Sequence, residues 1–142
     1  MEVFNYDFIS LFTMEILLVM IIGTFIGMIF GAIPGLGGHV AIILLLPFTF
    51  SLSPLASILL LLSTYQASEY GGSISSITLG IPGTGSAVAT LEDGRPLAKN
   101  NPGKALGYSL TASFVGGVFG GLVLLFFTAP IAEFALQLSA PE

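Results

Sequence analysis

Three long runs of uncharged residues are the strongest constraint on how this chain can fold. No Asp, Glu, Lys or Arg occurs in residues 16–68, 70–91 or 105–132, which are 53, 22 and 28 residues long. About 20 apolar residues in a helix cross a hydrocarbon core roughly 30 Å thick, so these runs can supply several crossings. Charged residues make up only 8% of the chain, against about 25% in soluble domains. The sequence therefore predicts an all-α, polytopic integral membrane protein.

The same composition argues against several classes of function. Three cationic side chains against eight carboxylates cannot neutralise a phosphate backbone, so we expect no nucleic-acid partner. The chain has no cysteine, which excludes thiolate metal sites and cysteine nucleophiles. It has no nucleophile-elbow, zinc-protease or Walker motif, and we expect no enzyme activity. Because the first residues are acidic and lack the basic region of a signal peptide, we expect the first span to remain in the mature protein.

Hydrophobic patterning divides the chain into a short interfacial helix at residues 1–14 and a transmembrane domain at residues 15–142. The candidate helices of the transmembrane domain are the apolar segments at residues 16–33, 39–50, 55–67 and 106–129. Ser53 and Pro54 are a favourable N-cap and first-turn pair for the third of these segments. Residues 37–85 are compatible with two spans, or with one span and one re-entrant hairpin.

Two segments are predicted to be non-helical. Residues 71–85 contain five glycines and one proline. Irregular backbone at membrane depth survives only where protein or an aqueous cavity satisfies it, so we expect this segment to line a cavity. Residues 92–104 contain every Lys and Arg of the chain, and the excess of positive charge in cytoplasmic loops predicts a polar loop on the cytoplasmic side.

One short pattern occurs twice, as IPGLG at residues 33–37 and IPGTG at residues 81–85. Each copy follows an apolar run and precedes a segment that can restart as a helix, at His39 and at Ser86. A helix start inside a membrane presents unpaired N–H groups and partial positive charge, as in the anion sites of many secondary transporters. The alternative is that both copies are turns or packing kinks. Hydroxyls near the second copy favour the binding site: Ser73, Ser75, Ser76, Thr78, Thr84, Ser86 and Thr90.

Three further features have open or purely structural interpretations. Glu69 separates two uncharged runs; deep in the bilayer it should face a cavity, a cation or a proton path, whereas at the interface it needs no special role. His39 can titrate during transport or simply cap a helix. Glycines recur four residues apart, which predicts close helix packing, at Gly23, Gly27 and Gly31, at Gly116 with Gly120, and at Gly117 with Gly121.

Seven short motifs occur in the order typical of a known family. They are GAIPGLGG at residues 31–38, LLPFTF at 45–50, YGGSI at 70–74, IPGT at 81–84, AT at 89–90, DGxPxA at 93–98 and GxAL at 103–106. Together they resemble the N-terminal part of the large membrane subunit of tripartite tricarboxylate transporters, the TctA family. Family members are several times longer. The resemblance therefore implies the first part of one half of an inverted-repeat transporter with broken or re-entrant helices.

The resemblance also implies a function and partners. It implies a permease subunit of a bacterial inner membrane that works with a small membrane subunit and a periplasmic solute-binding protein. Such systems import citrate or other carboxylates with a sodium or proton gradient, without ATP or another cofactor. By motif, the resemblance places the following residues around the transported anion or its coupling ion: Gly35, Gly37, Tyr70, Gly71, Gly72, Ser73, Pro82, Gly83, Thr84 and Thr90.

These observations lead to a specific hypothesis for the site. The helix start near Thr84 and Ser86 receives a substrate carboxylate, while hydroxyls and carbonyls around Ser73 and Pro82 hold sodium. Gly80 stands where relatives often have Asn, which removes one possible amide ligand. The alternative function is that of a truncated, non-transporting membrane fragment that acts only through helix packing with partner subunits.

Overall fold

The computed structural model describes residues 12–138, and the side chains of residues 12–134. Within this range the chain forms five α-helices and one short 3-10 helix, and it has no strand. They are α1 (Met14–Ala32), α2 (Gly37–Thr49), α3 (Pro54–Leu79), the 3-10 helix (Ser86–Ala89), α4 (Thr90–Asn100) and α5 (Pro102–Leu138). The all-α prediction is confirmed for the described residues. The predicted interfacial helix at residues 1–14 lies almost entirely outside them.

The helix starts and stops follow from local sequence. Pro54 occupies the first turn of α3, where its missing N–H costs nothing, and Ser53 caps the helix by accepting a hydrogen bond from the Ala56 N–H at 3.3 Å. α1 ends at Ala32, two residues before Pro34, because the residue that precedes a proline is pushed towards extended backbone. The predicted helix start at Ser53 and Pro54 is confirmed.

The structure differs from the sequence-based expectation in residues 71–79, which continue α3 to Leu79. Gly71 and Gly72 do not break the helix, because atoms of neighbouring segments pack closely at the places where their side chains would be. A Cβ on Gly71 would clash with the Met28 carbonyl oxygen of α1, and one on Gly72 would clash with Thr84. The irregular backbone after α3 is therefore confined to residues 80–85.

The polar segment at residues 92–104 is also mostly helical rather than a loop. α4 ends at Asn100 and α5 begins at Pro102. Glu92 and Asp93 lie in the first turn of α4 and Lys99 in its last turn, an arrangement that complements the helix dipole. α4 also packs on α3, so a tertiary contact supports a helix that the polar sequence alone does not predict.

The described chain forms two compact units. The first, residues 12–109, contains α1 to α4 and the beginning of α5, and α3 is its central helix because it packs against α1, α2, the 3-10 helix and α4. The second unit, residues 110–138, is the remainder of α5. The predicted boundary between residues 14 and 15 falls at the edge of the described range and stays a prediction.

Contact between α1 and α3 depends on the row of glycines predicted to pack. Gly23, Gly27 and Gly31 are buried, and a Cβ on Gly27 or Gly31 would clash with the backbone carbonyl of Thr64 or Ser68. This part of the packing prediction is confirmed. For the second predicted row, a Cβ on Gly116, Gly120 or Gly121 would meet nothing within 4 Å in the described residues, so packing there stays a prediction.

Many buried residues of the first unit are small or carry a hydroxyl group. An apolar cluster that includes Ile16 and Leu60 lies at one end of the α1 and α3 pair. Beyond it the buried residues of α3 include Thr64, Ser68 and Ser75, whose hydroxyls donate to carbonyls of their own helix at 2.7, 2.7 and 3.0 Å. No buried side-chain polar atom of the described residues lacks a partner. Large exposed side chains are mainly Leu, Ile and Phe, which is typical of a surface in contact with lipid.

Two of the described helices, α1 and α5, are long and apolar enough to cross a bilayer, and α2 is apolar but shorter. This supports membrane insertion without giving the number of crossings between residues 15 and 91. A polytopic arrangement, a re-entrant hairpin and an inverted repeat remain predictions.

Candidate functional site

The first IPG motif forms a tight break between α1 and α2. Ile33 has extended backbone, and Gly35 and Gly37 have φ values of +92° and +66°. Residues with a Cβ rarely adopt such angles, so both positions need glycine. α2 starts at Gly37, two residues before the predicted restart at His39, and the prediction that a helix restarts after the motif is confirmed.

The second break begins at Gly80, which ends α3 in the left-handed conformation with φ +76°. Its N–H donates to the carbonyls of Ser75 and Ser76 at 3.2 and 2.9 Å, and Arg95 Nη1 donates to the Thr78 carbonyl at 3.2 Å. These bonds satisfy carbonyls that the end of a helix leaves without partners. Glycine and asparagine are the two residues that tolerate this conformation best, so a backbone requirement accounts for either residue at this position.

At Gly83 the second break packs against α3 and against the last turn of α1, just before the first break. A Cβ on Gly83 would clash with the carbonyl oxygen of Gly31 and lie 2.9 Å from both Gly72 Cα and Ser75 Oγ. The Gly83 N–H also donates to the Gly72 carbonyl at 3.3 Å. The backbones of Gly31 and Gly83 therefore approach closely although the two residues are 52 positions apart in sequence (83 − 31), and the lack of a side chain on Gly83 allows this.

A cavity of about 220 Å³ lies where the breaks meet. Its walls are residues 35–39 of the first break, residues 83–85 of the second break, and Glu69 of α3. None of the three Lys and Arg side chains, all within the described range, lines it. A negative charge in this cavity therefore has backbone N–H groups, the Thr84 hydroxyl, His39 and the Glu69 carboxylate as neighbours, and no Lys or Arg side chain.

Polar side chains form a short network at this cavity. The Ser86 hydroxyl donates to Glu69 Oε2, and the hydroxyl oxygens of Thr84 and Ser86 are 3.3 Å apart. His39 lines the same cavity and makes an edge contact with the Tyr65 ring, with the ring centroids 5.8 Å apart. The site thus combines a carboxylate, an imidazole and two hydroxyls at the ends of broken helices.

The predicted site residues fall into two groups. Four of them line the cavity: Gly35, Gly37, Gly83 and Thr84. A fifth, Ser86, is connected to the cavity through the hydrogen bond that it donates to Glu69. The other six do not line it: Tyr70, Gly71, Gly72, Ser73, Pro82 and Thr90. Among these, the Ser73 hydroxyl donates to the Glu69 carbonyl at 3.3 Å. None of these placements tests whether a residue binds substrate.

The predicted set leaves out Glu69 and His39, although both line the cavity. Each carried a signal in the sequence. Glu69 is the single charged residue between two long uncharged runs, and His39 is the one histidine of the chain. Neither signal says on which side of its helix the residue lies.

A second hydrogen-bond network fastens the 3-10 helix to α3. The buried Ser76 hydroxyl donates to the Ala87 carbonyl at 2.8 Å and accepts from Thr90 Oγ1 at 2.9 Å. The segment that follows the second break is therefore held by side-chain bonds to the helix that precedes it.

Alanine at Ser76 should destabilise the protein by about 1 kcal/mol, because the Ala87 carbonyl would lose one of its donors while it keeps the bond from the Thr90 hydroxyl at 2.7 Å. The measurement is the thermal loss of helical circular dichroism in detergent. Ser57→Ala is the matched control, since the Ser57 hydroxyl bonds carbonyls at a more exposed place. Equal losses in the two variants would contradict the assigned role of the Ser76 network.

Comparison with known proteins identifies the family. The model of the tripartite tricarboxylate transporter TctA family matches residues 17–142. An Agrobacterium vitis protein, described as an uncharacterized 52.8 kDa protein in the TAR-I ttuC' 3'region, is 37% identical over 122 residues, which cover 85% of this chain and 24% of that protein. The chain thus spans about a quarter of the length of this relative. No solved structure matches the chain. The family resemblance of the motifs is confirmed, and the chain belongs to the tripartite tricarboxylate transporter TctA family.

Proposed function

We propose that this chain is part of the permease subunit of a secondary transporter that imports tricarboxylates or other carboxylates. The observation that carries the proposal is the meeting of both IPG breaks at one cavity, with the Thr84 and Ser86 hydroxyls beside it. Broken helices whose ends converge are how many secondary transporters build substrate sites. Membership of a transporter family supports the same function.

The anion is held in this proposal without a cationic side chain. α2 begins at the cavity, and the first N–H groups of a helix have no partner within it. Together with the partial positive charge of the helix start, they attract a carboxylate. The Thr84 and Ser86 hydroxyls add donors at the second break. We assign sodium to hydroxyls and carbonyls around Ser73 and Pro82, and a proton is the alternative coupling ion.

The wider system is also part of the proposal. The permease lies in a bacterial inner membrane, with α4 and the start of α5 on the cytoplasmic side because they hold every Lys and Arg. It works with a small membrane subunit and a periplasmic solute-binding protein. Because the described relative is about four times longer than this match, we place the chain in the N-terminal half of an inverted repeat.

Valine at Thr84 should lower carboxylate uptake about tenfold at limiting substrate. The variant keeps the shape of the side chain but removes a hydrogen bond to a charged ligand, worth roughly 1.5–3 kcal/mol, and 1.4 kcal/mol is tenfold in affinity. The measurement is uptake of labelled citrate by the reconstituted complex, with and without a sodium gradient.

Thr24→Val is the matched control for this substitution. Thr24 is exposed on α1, and its hydroxyl bonds only the Met20 carbonyl of the same helix at 2.7 Å, so uptake should not change. Ser73→Ala tests the second half of the site. Unchanged uptake in both Thr84→Val and Ser73→Ala would show that the site is assigned wrongly.

A further inference from the structure

Among the described residues, Glu69 is the one acidic residue that lines the cavity between the two breaks. Its carboxylate accepts a hydrogen bond from Ser86, and the hydroxyl oxygen of Thr84 lies 3.3 Å from that of Ser86. We propose that Glu69 binds the coupling cation, a sodium ion or a proton, directly beside the substrate anion. This inference rests on the proposed carboxylate transport, and it moves the cation from the hydroxyls and carbonyls around Ser73 and Pro82 to Glu69, a residue that the family motifs do not include.

The charges at the cavity require a cation. Glu69 is partly buried, and no Lys or Arg lines the cavity beside it. A second negative charge brought by a carboxylate substrate would be repelled, and the repulsion is stronger here than in water because a protein interior screens charge less. A cation bound to Glu69 removes this repulsion. Substrate and cation therefore bind more tightly together than separately, which is the thermodynamic basis of symport.

The ligand chemistry suits a hard monovalent cation. A carboxylate oxygen and two hydroxyl oxygens converge on one side of the cavity, and oxygen donors of this kind bind hard cations. Ser86 donates its proton to Glu69 in the present arrangement, and rotation of its hydroxyl would turn a lone pair towards a bound ion. The same carboxylate accepts a proton if the coupling ion is H⁺.

His39 is the other titratable group at the cavity, contributed by α2. The second break contributes Gly83, Thr84 and Gly85, none of which titrates. A pH response of the protein can therefore come from either Glu69 or His39. The part that belongs to Glu69 is the part that disappears in Glu69→Gln, where His39 is intact.

Cation binding can be measured directly on the purified full-length protein in lipid nanodiscs, without substrate. Thermal midpoints are recorded by circular dichroism with NaCl replaced stepwise by choline chloride at constant ionic strength, and again in a series of pH values without sodium. A ligand that binds only the folded state raises the midpoint, and the rise grows with the logarithm of the ligand concentration above the dissociation constant. We expect one of the two cations to raise the midpoint of the wild type.

Glu69→Gln should abolish that rise, whereas the matched control Glu133→Gln should keep it, because Glu133 is exposed on α5 and does not line the cavity. A lost sodium response identifies sodium, and a lost pH response with no sodium response identifies the proton. A variant Glu69→Gln that responds to both cations as the wild type does would overturn the proposal.

If Glu69→Gln does not fold, Ser86→Ala provides a second test of the proposal. It keeps the carboxylate and removes one oxygen ligand, so the cation concentration above which the midpoint rises should increase about tenfold, the equivalent of about 1.4 kcal/mol in binding. An unshifted value would overturn the proposal. Because these measurements need neither substrate nor partner subunits, a failure of carboxylate uptake leaves them interpretable, and the two proposals fail separately.

Discussion

Alanine at Gly27 should destabilise the protein by about 3 kcal/mol. The added Cβ would clash with the Thr64 carbonyl oxygen and lie 2.8 Å from the Thr64 carbonyl carbon. Backbone atoms cannot rotate away as a side chain can, so α1 and α3 must separate, and overpacking of this kind costs about 1–3 kcal/mol or more. The higher helix propensity of alanine, worth about 1 kcal/mol, offsets only part of the loss.

The measurement is the midpoint of thermal unfolding in detergent micelles, followed by helical circular dichroism. Gly116→Ala is the matched control, because a Cβ on Gly116 meets nothing within 4 Å. This control should be neutral or slightly stabilising, since only the propensity term of about 1 kcal/mol acts there. If Gly27→Ala and Gly116→Ala shifted the midpoint equally, the close contact of α1 with α3 would be wrong.

Alanine at Gly83 should reduce carboxylate uptake at least about tenfold. The added Cβ would push the second break away from the Gly31 carbonyl and from Gly72. The cavity would then widen, and the donors of the two breaks would no longer face the same ligand. A loss of 1.4 kcal/mol in ligand binding already lowers affinity tenfold. Uptake by the reconstituted complex, normalised to the amount of folded protein, measures the effect.

Gly85→Ala is an unusually close control for Gly83→Ala. Gly85 lines the same cavity two residues later in the same break, and its backbone has an ordinary φ of −62°. A Cβ on Gly85 meets nothing within 4 Å, so uptake should stay near the wild-type level. If Gly85→Ala reduced uptake as much as Gly83→Ala, the loss would come from filling the cavity and not from separating the breaks.

Most of the helices could be predicted from the sequence because their signals are local. Apolar runs, the Ser53 and Pro54 start, and the two IPG breaks all act within a few residues of where they stand in the chain. The extension of α3 through Gly71 and Gly72 could not be predicted in this way. Glycine weakens an isolated helix, and only the approach of Met28 and Thr84 shows why it is needed there.

The polar helix α4 is a second case of a helix predicted to be non-helical. Its residues include Gly94 and Pro96, which are typical of loops. Gly94 faces the Ile77 side chain of α3, and Arg95 bonds the end of that helix. These contacts are tertiary, so no local sequence pattern predicts them.

The candidate site was accessible from the sequence only in part. The repeated IPG pattern correctly directed attention to the two breaks, because proline and glycine dictate backbone geometry locally. Whether the breaks meet depends on how α1 packs against α3, through glycines that are buried by the contact. The direction of the Glu69 side chain depends on the same packing. Glu69 could therefore be recognised as unusual from the sequence, but its place beside Ser86 could not.

The separation of the two breaks along the chain has a consequence for biosynthesis. The Gly31 carbonyl leaves the ribosome about fifty residues before Gly83, the residue that packs against it in the folded chain. Until α3 has been synthesised, the glycine face of α1 has no protein partner and must be covered by lipid or by the insertion machinery. The cavity is thus absent from every nascent chain shorter than about eighty-five residues, and the order of translation sets the order in which its walls are assembled.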